Sequence, residues 1–298
     1  MNVLQYVKNT WEQFSDDDGF MMASALAYYT LFSIAPLLVI IIATFSFLLD
    51  STEIEAALFQ QLGSIMGYSQ SSELQDIVDN ARDTSSGALA TVISTATLVV
   101  SSTAVVVQLK TALNRSWNLA KDPDLGMISI IMDRILSLGF LLGIGFIFLV
   151  SMGLNTIAIF LADKVSRLLP YIGETSVLVI SIIVSQVVTF SMFYLLFKFL
   201  PDAKLHRKDL IVGALVTTIL FVIGRFAIGF YIGNSNISTT FGGAGALASF
   251  MVWVYYNSII LIIGAEFTQV YAMAHNRVIM PTDNSVKVQR ILKRKGEL

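Results

Sequence analysis

The sequence predicts an all-α, polytopic membrane protein with six transmembrane helices and both termini on the cytoplasmic side. Three observations predict it: long uncharged runs, a cluster of turn-forming residues that divides the longest run, and a one-sided distribution of Lys and Arg. Apolar residues make up 55% of the 298 and charged residues 13%, about half the charged share of an ordinary soluble domain. Mean hydropathy is +0.72. A soluble chain of this length needs a charged skin, and too few charges remain to make one.

A helix needs roughly 20 apolar residues to cross the hydrocarbon core. Phe20–Leu49, Thr84–Leu109, Ile135–Ala162 and Thr175–Phe197 carry no charge. Leu210–Gly224 is also uncharged, Arg225 interrupts, and Phe226–Ala265 is uncharged again. That last run is too long for one helix. The turn-forming stretch Gly233-Asn-Ser-Asn-Ile-Ser-Thr-Thr-Phe-Gly-Gly-Ala-Gly245 divides it. Six spans follow, near 21–49, 88–110, 135–161, 176–199, 210–232 and 246–274.

Orientation follows from the tendency of cytoplasmic loops to collect Lys and Arg. With the N-terminus inside, the inner segments hold fifteen of these residues and the outer segments three, namely Arg82, Lys164 and Arg167. Residues 1–20 form an amphipathic cytoplasmic helix, with Val3, Val7, Trp11 and Phe14 on one face, suited either to the inner membrane surface or to packing against the bundle. Asp16-Asp17-Asp18 stands where a signal peptide would need positive charge, and Asp18 is placed to cap the first span. Segment 50–87 is acidic and carries helical apolar spacing at Ile54, Leu58, Leu62 and Ile65, and again at Leu74, Ile77 and Ala81. It reads as a small outer cap of two amphipathic helices. The transmembrane domain is thus 21–275, followed by a basic cytoplasmic tail, 276–298.

Enzymatic chemistry finds no support in the residues. Cysteine is absent, and the two histidines, His206 and His275, stand at helix boundaries. Asp122, Asp124 and Asp133 share one inner loop with bases and read as solvated. Neither a catalytic group, a metal ligand set nor a cofactor is expected, and neither is a nucleic-acid partner. The charges within the spans are different, because an intramembrane ionisable residue is a functional candidate by default. Arg225 lies about seven residues from the outer end of its span, roughly 10 Å deep at ~1.5 Å per residue. Asn155, Gln186 and Asn257 fall near its depth and, with Tyr28 and Tyr29 of the first span, make the candidate solute-binding set; snorkelling or a neutral hydrogen-bonded network is the plainer reading of Arg225, and the aromatic belt that of the tyrosines. Glu266 lies about eight residues from the inner end of the last span, near the depth of Gln108 and Lys110. An ion pair with Lys110 is its plainer reading, a proton- or cation-handling role the sharper one. Pro36 removes a backbone hydrogen bond from the first span and is expected to kink it. These four, Glu266, Gln108, Lys110 and Pro36, form the candidate coupling and gating set. Gly139-x-x-x-Gly143 and Gly229-x-x-x-Gly233 are expected to permit close helix approach.

Five segments together carry a family resemblance. They are Ala25-Leu-Ala-Tyr-Tyr-Thr-Leu-Phe-Ser-Ile-Ala-Pro-Leu-Leu38, Ala112-Leu-Asn-Arg-Ser-Trp-Asn118, Phe199-Leu-Pro-Asp-Ala-Lys204, Phe241-Gly-Gly-Ala-Gly-Ala246 and Gly264-Ala-Glu-Phe267. On these the chain resembles, over nearly its whole length, the YihY/BrkB family of bacterial inner-membrane proteins, once labelled ribonuclease BN. The outer turn departs from the family's usual Tyr-Gly-Ala-Leu-Gly. The resemblance implies six helices and a bacterial plasma-membrane location. It also brings a ribonuclease label, ties to virulence and envelope phenotypes, and a description as a transporter. The expectation is a transporter or exporter of a small polar solute or envelope lipid, working through a polar cavity in the bundle. A non-transporting envelope scaffold is the alternative. Expected partners are membrane lipids and the solute or lipid substrate, with a homo-oligomer allowed.

Overall fold

The computed structural model describes residues 2–46, 50–66, 71–72, 74–75, 78–79, 88–126, 131–147, 150, 173–234 and 245–288. Helix α1 is Val3–Asp16, α2 Gly19–Phe45, α3 Ser51–Met66 and α4 Ala88–Ser116. Residues 131–147 form α5. Helix α6 is Gly173–Phe199, α7 Arg207–Asn234 and α8 Gly245–Ala274. Five helices are long and apolar enough to cross a bilayer: α2, α4, α6, α7 and α8. The sixth expected span, 135–161, begins in α5, and its second half lies outside the described residues.

Helix α8 is the hub. It packs against α1, α2, α4 and α7, while α2 also packs on α4 and α3, and α6 leans on α7. Burial is uneven along the spans. On α6, the buried apolar residues Phe193, Leu196 and Phe197 all lie in its last two turns, and Val179, Ile182, Ile183 and Val187 are exposed. The largest apolar cluster joins Val106, Leu113 and Trp117 of α4 to Leu141 of α5, the end of α6, Leu210 and Ala214 of α7, and Leu261 and Ala265 of α8. It lies at the Lys/Arg-rich end. A second cluster sits between α2 and α8 at their other ends, roofed by Ile54 and Phe59 of α3 and by Leu74 and Val78. The first helix of the expected outer cap is therefore present as α3, and only parts of the second fall among the described residues.

The α7–α8 contact shows how two helices approach closely. Gly213 faces Thr268 and Gly264 faces Thr217, so a Cβ at either glycine would collide with a threonine hydroxyl. Each threonine turns its hydroxyl back to its own helix, Thr217 to the Gly213 carbonyl at 2.8 Å and Thr268 to the Gly264 carbonyl at 2.7 Å. The polar atoms are thereby satisfied and the methyl groups pack across the seam. Further along, Gly224 faces Ile260 and Tyr256. The expected glycine pairs behave otherwise: Gly139, Gly143 and Gly229 have open space where a Cβ would point. Gly145 is the glycine of α5 that meets another helix, against Phe45 and Ile41.

Four short strands tie the Lys/Arg-rich end together. Strand β1 (Leu119–Lys121) pairs antiparallel with β4 (Ser285–Lys287), and β2 (Ala203–Lys204) pairs antiparallel with β3 (Met280–Pro281). The segment after α8 thus crosses beneath the bundle and binds both the loop after α4 and the loop between α6 and α7.

The turn between α1 and α2 departs from expectation. Asp18 has a left-handed backbone (φ 55°) and makes no side-chain cap. Its carboxylate instead pairs with Arg115 of α4 at 2.6 Å. Gly19 follows because the Phe14 ring occupies the space a side chain would need. Helix α2 then runs without interruption through Pro36, so the proline does not divide the span.

Candidate functional site

Three of the segments that carry the family resemblance converge at the Lys/Arg-rich end. Asn114 of α4 and Asp202 of the α6–α7 loop bond reciprocally: Asn114 Nδ2 donates to Asp202 Oδ2 at 3.1 Å, and the Asp202 amide donates to Asn114 Oδ1 at 2.9 Å. Both are buried. The Asp202 carbonyl accepts from the Ser285 hydroxyl at 2.6 Å and the Thr282 amide at 3.1 Å. Trp117, 1% exposed, donates its indole N–H to the Ala265 carbonyl of α8 at 3.0 Å. One loop, one α4 end and one α8 turn are therefore locked to each other by groups that no solvent reaches.

A charge lattice overlies this lock. Lys110 Nζ lies 2.8 Å from Asp133 Oδ1 and 2.9 Å from Asp202 Oδ2, and Lys121 Nζ lies 2.7 Å from Asp133 Oδ2. Two cations and two anions balance. Burial pushes Asp133 upward, but hydrogen bonds from Lys110 and Lys121 outweigh it and hold the carboxyl below its ordinary value. Next to it, Arg134 donates to the Val100 carbonyl and the Thr103 hydroxyl. Arg277 pairs with the buried Asp209 at the start of α7, at 2.6 Å.

Glu266, one residue beyond the carbonyl that Trp117 holds, is fully buried. Neither of its oxygens has a hydrogen-bond partner among the described residues. Ser116 of α4, also fully buried, places its hydroxyl beside the carboxylate. The expected pair with Lys110 does not form, because Lys110 is drawn to Asp133 and Asp202. Asp133, expected to be a solvated loop acid, is mostly buried in that lattice.

The other sequence-derived candidates are dispersed. Gln108 is half-buried on α4 and Gln186 half-buried on α6. Asn257 is half-buried on α8 and donates Nδ2 to its own helix, to the Trp253 carbonyl at 2.7 Å. Arg225 is exposed on α7. The antiparallel register set by Gly213 with Thr268, Thr217 with Gly264 and Gly224 with Tyr256 places Arg225 level with Tyr256 and Asn257. Glu266 lies about ten residues further along α8, roughly 15 Å away at ~1.5 Å per residue. Tyr28 and Tyr29 are exposed on α2, edge to face with ring centroids 5.7 Å apart. Asn155 lies outside the described residues. Asn114 falls, like Gln108 and Lys110, near the depth expected of Glu266, whereas residue chemistry does not single out Trp117 or Asp202, since neither is charged within a span. Their signal was their place in the Ala112–Asn118 and Phe199–Lys204 segments.

These features define a predominantly helical, multi-pass membrane protein of bacterial type, tied together at its Lys/Arg-rich end by short strands and ion pairs. It belongs to the Virulence factor BrkB family, whose model matches residues 10–286. It is 25% identical over 291 residues to the ribonuclease-like protein YfkH of Bacillus subtilis, covering 94% of this chain and 99% of that protein. To the UPF0761 membrane protein of Chromohalobacter salexigens it is 25% identical, over 89% of this chain and 62% of the relative. To UPF0761 membrane protein MS0032 of Mannheimia succiniciproducens it is 24% identical, over 83% of each chain. No solved structure matches.

Proposed function

We propose that the protein is a transporter or exporter of a small polar solute or an envelope lipid, with Glu266 as its coupling group. The observation that carries this reading is Glu266 itself, fully buried within a span and without a cationic or hydrogen-bonding partner among the described residues. A carboxyl in that position destabilises a merely structural bundle. Intramembrane carboxyls in such settings mark proton and ion pathways. The uneven packing supports the reading: one end is locked by ion pairs, strands and Trp117, whereas Val179, Ile182, Ile183 and Val187 of α6 are exposed. A bundle closed at one end is one of the two states that alternating access requires. Arg225, with its planar five-donor fork, suits a carboxylate or phosphate on the substrate.

The name of YfkH points to RNA chemistry. We read this chain as a non-enzyme, because two of the three acids of the 121–134 segment are engaged elsewhere and the described residues hold no metal-binding group of acids and histidines. Asp133 holds two lysines, and Asp122 accepts from the Asp124 amide at 3.0 Å.

The test is flux through purified protein in proteoliposomes, screened across anionic and dipolar metabolites and across fluorescent phospholipids. Uptake or lipid translocation above that of protein-free vesicles supports transport. Flux equal to that of protein-free vesicles for every class leaves the scaffold reading in its place.

A further inference from the structure

Helix α1 divides its circumference into three sectors. At 3.6 residues per turn, Tyr6, Thr10 and Phe14 line one sector, and it docks on α8. The Tyr6 ring lies 5.9 Å from Phe267 and 6.1 Å from Tyr271, while Thr10 and Phe14 are buried. A second sector is polar and carries Gln5, Lys8, Glu12 and Asp16, with Lys8 and Glu12 paired at 3.7 Å. The third, between them, is apolar and open: Leu4, Val7 and Trp11 are 83%, 63% and 52% exposed.

We propose that this third sector is a lipid-binding surface, seated in the boundary between headgroups and acyl chains at the Lys/Arg-rich end of the bundle. Continuity identifies the occupant. Trp11 stacks on Phe14 at 5.6 Å and meets the edge of Phe20 at 6.1 Å. Phe20 begins the exposed stripe of α2 that continues through Ser24, Tyr28 and Phe32. Helix α2 is long and apolar enough to cross a bilayer, which places this exposed stripe against acyl chains in the proposed arrangement. The open sector of α1 extends the same surface past the turn at Asp18, where the chain leaves the span. There the polar sector meets water and an indole is at its preferred depth. The angle between the two helices is not free, because Phe14 packs over Gly19 and leaves no room for a side chain there. One face of α1 therefore grips α8 within one turn of Glu266, through Phe267, while the adjacent face holds the bilayer.

Depth-dependent fluorescence quenching tests this in proteoliposomes made with phosphatidylcholine brominated either near the headgroup or near the chain end. Trp117 and Trp253 stay in place in both proteins, so wild type is compared with Trp11→Phe, and the difference reports Trp11. The expected result is a Trp11 component quenched more strongly by the shallow bromines. Identical quenching of the two proteins by both lipids overturns the proposal. A Val7→Cys variant provides a second reading, since the chain has no native cysteine. Efficient disulfide crosslinking between two chains at this position, at high lipid-to-protein ratio, would assign the sector to a second copy and also overturn the proposal.

Discussion

At the scale of single residues, the glycines separate what a sequence can and cannot reveal. The spacing Gly139-x-x-x-Gly143 marks a flat strip on α5, but a strip permits close approach only where another helix lies on it, and among the described residues none does at these positions. The glycines that do set the packing, Gly213 and Gly264, are each single residues opposite a threonine on another helix. That relation exists only in three dimensions. Gly264→Leu therefore overpacks the α7–α8 seam, with an expected loss of about 1–3 kcal/mol. Gly143→Leu adds a side chain in open space and leaves stability within about 0.5 kcal/mol. Thermal unfolding of the two purified variants in one detergent checks the contrast, and equal losses contradict it. Charged residues were more legible. Glu266 stood out because a carboxyl in an uncharged run costs free energy wherever it points. Its lack of a partner was not legible, because Lys110 had two other acids to choose from, both distant in sequence.

At the scale of elements, the uncharged runs located five helices long and apolar enough to span, because hydrocarbon tolerates few charges. Their ends were less legible. Helix α7 starts at Arg207, inside a charged stretch, and α4 continues to Ser116, six residues past Lys110. Hydrogen bonding carries a helix beyond the apolar run that nucleates the reading. The strands β1 to β4 left no sequence signal, since two- and three-residue strands have no measurable period. They matter nonetheless. Ending the chain after Ile279 removes β3 and β4 and takes both donors from the Asp202 carbonyl. An unsatisfied buried group costs about 1–3 kcal/mol, and the midpoint moves about 2–4 °C per kcal/mol in a chain of this size. The truncated protein should insert normally, melt several degrees lower, and be cut faster by trypsin at Lys121 and Lys204. Unchanged melting and proteolysis would show that the strap carries no load.

At the scale of the whole molecule, the fold class was legible from composition, and the family from five short segments. Three of those segments meet in one place: Asn114 bonds Asp202, and Trp117 holds the turn that bears Glu266. A lock of buried hydrogen bonds and balanced charges closes the end of the bundle that the Lys/Arg count assigns to the cytoplasm. Beside it stands one carboxyl, Glu266, with no cation to balance it among the described residues. This juxtaposition of a rigid closure with an unpaired acid is the centre of the account. Glu266→Gln keeps the shape and removes the ionisable group, so it separates folding from coupling. The decisive measurement is flux of the substrate found in the proteoliposome screen, with and without an imposed proton gradient, for wild type and Glu266→Gln at matched reconstitution. The account predicts that the gradient accelerates flux in the wild type, and that Glu266→Gln, with unchanged melting temperature, loses that acceleration. Gradient-driven flux of equal size in both proteins would contradict it.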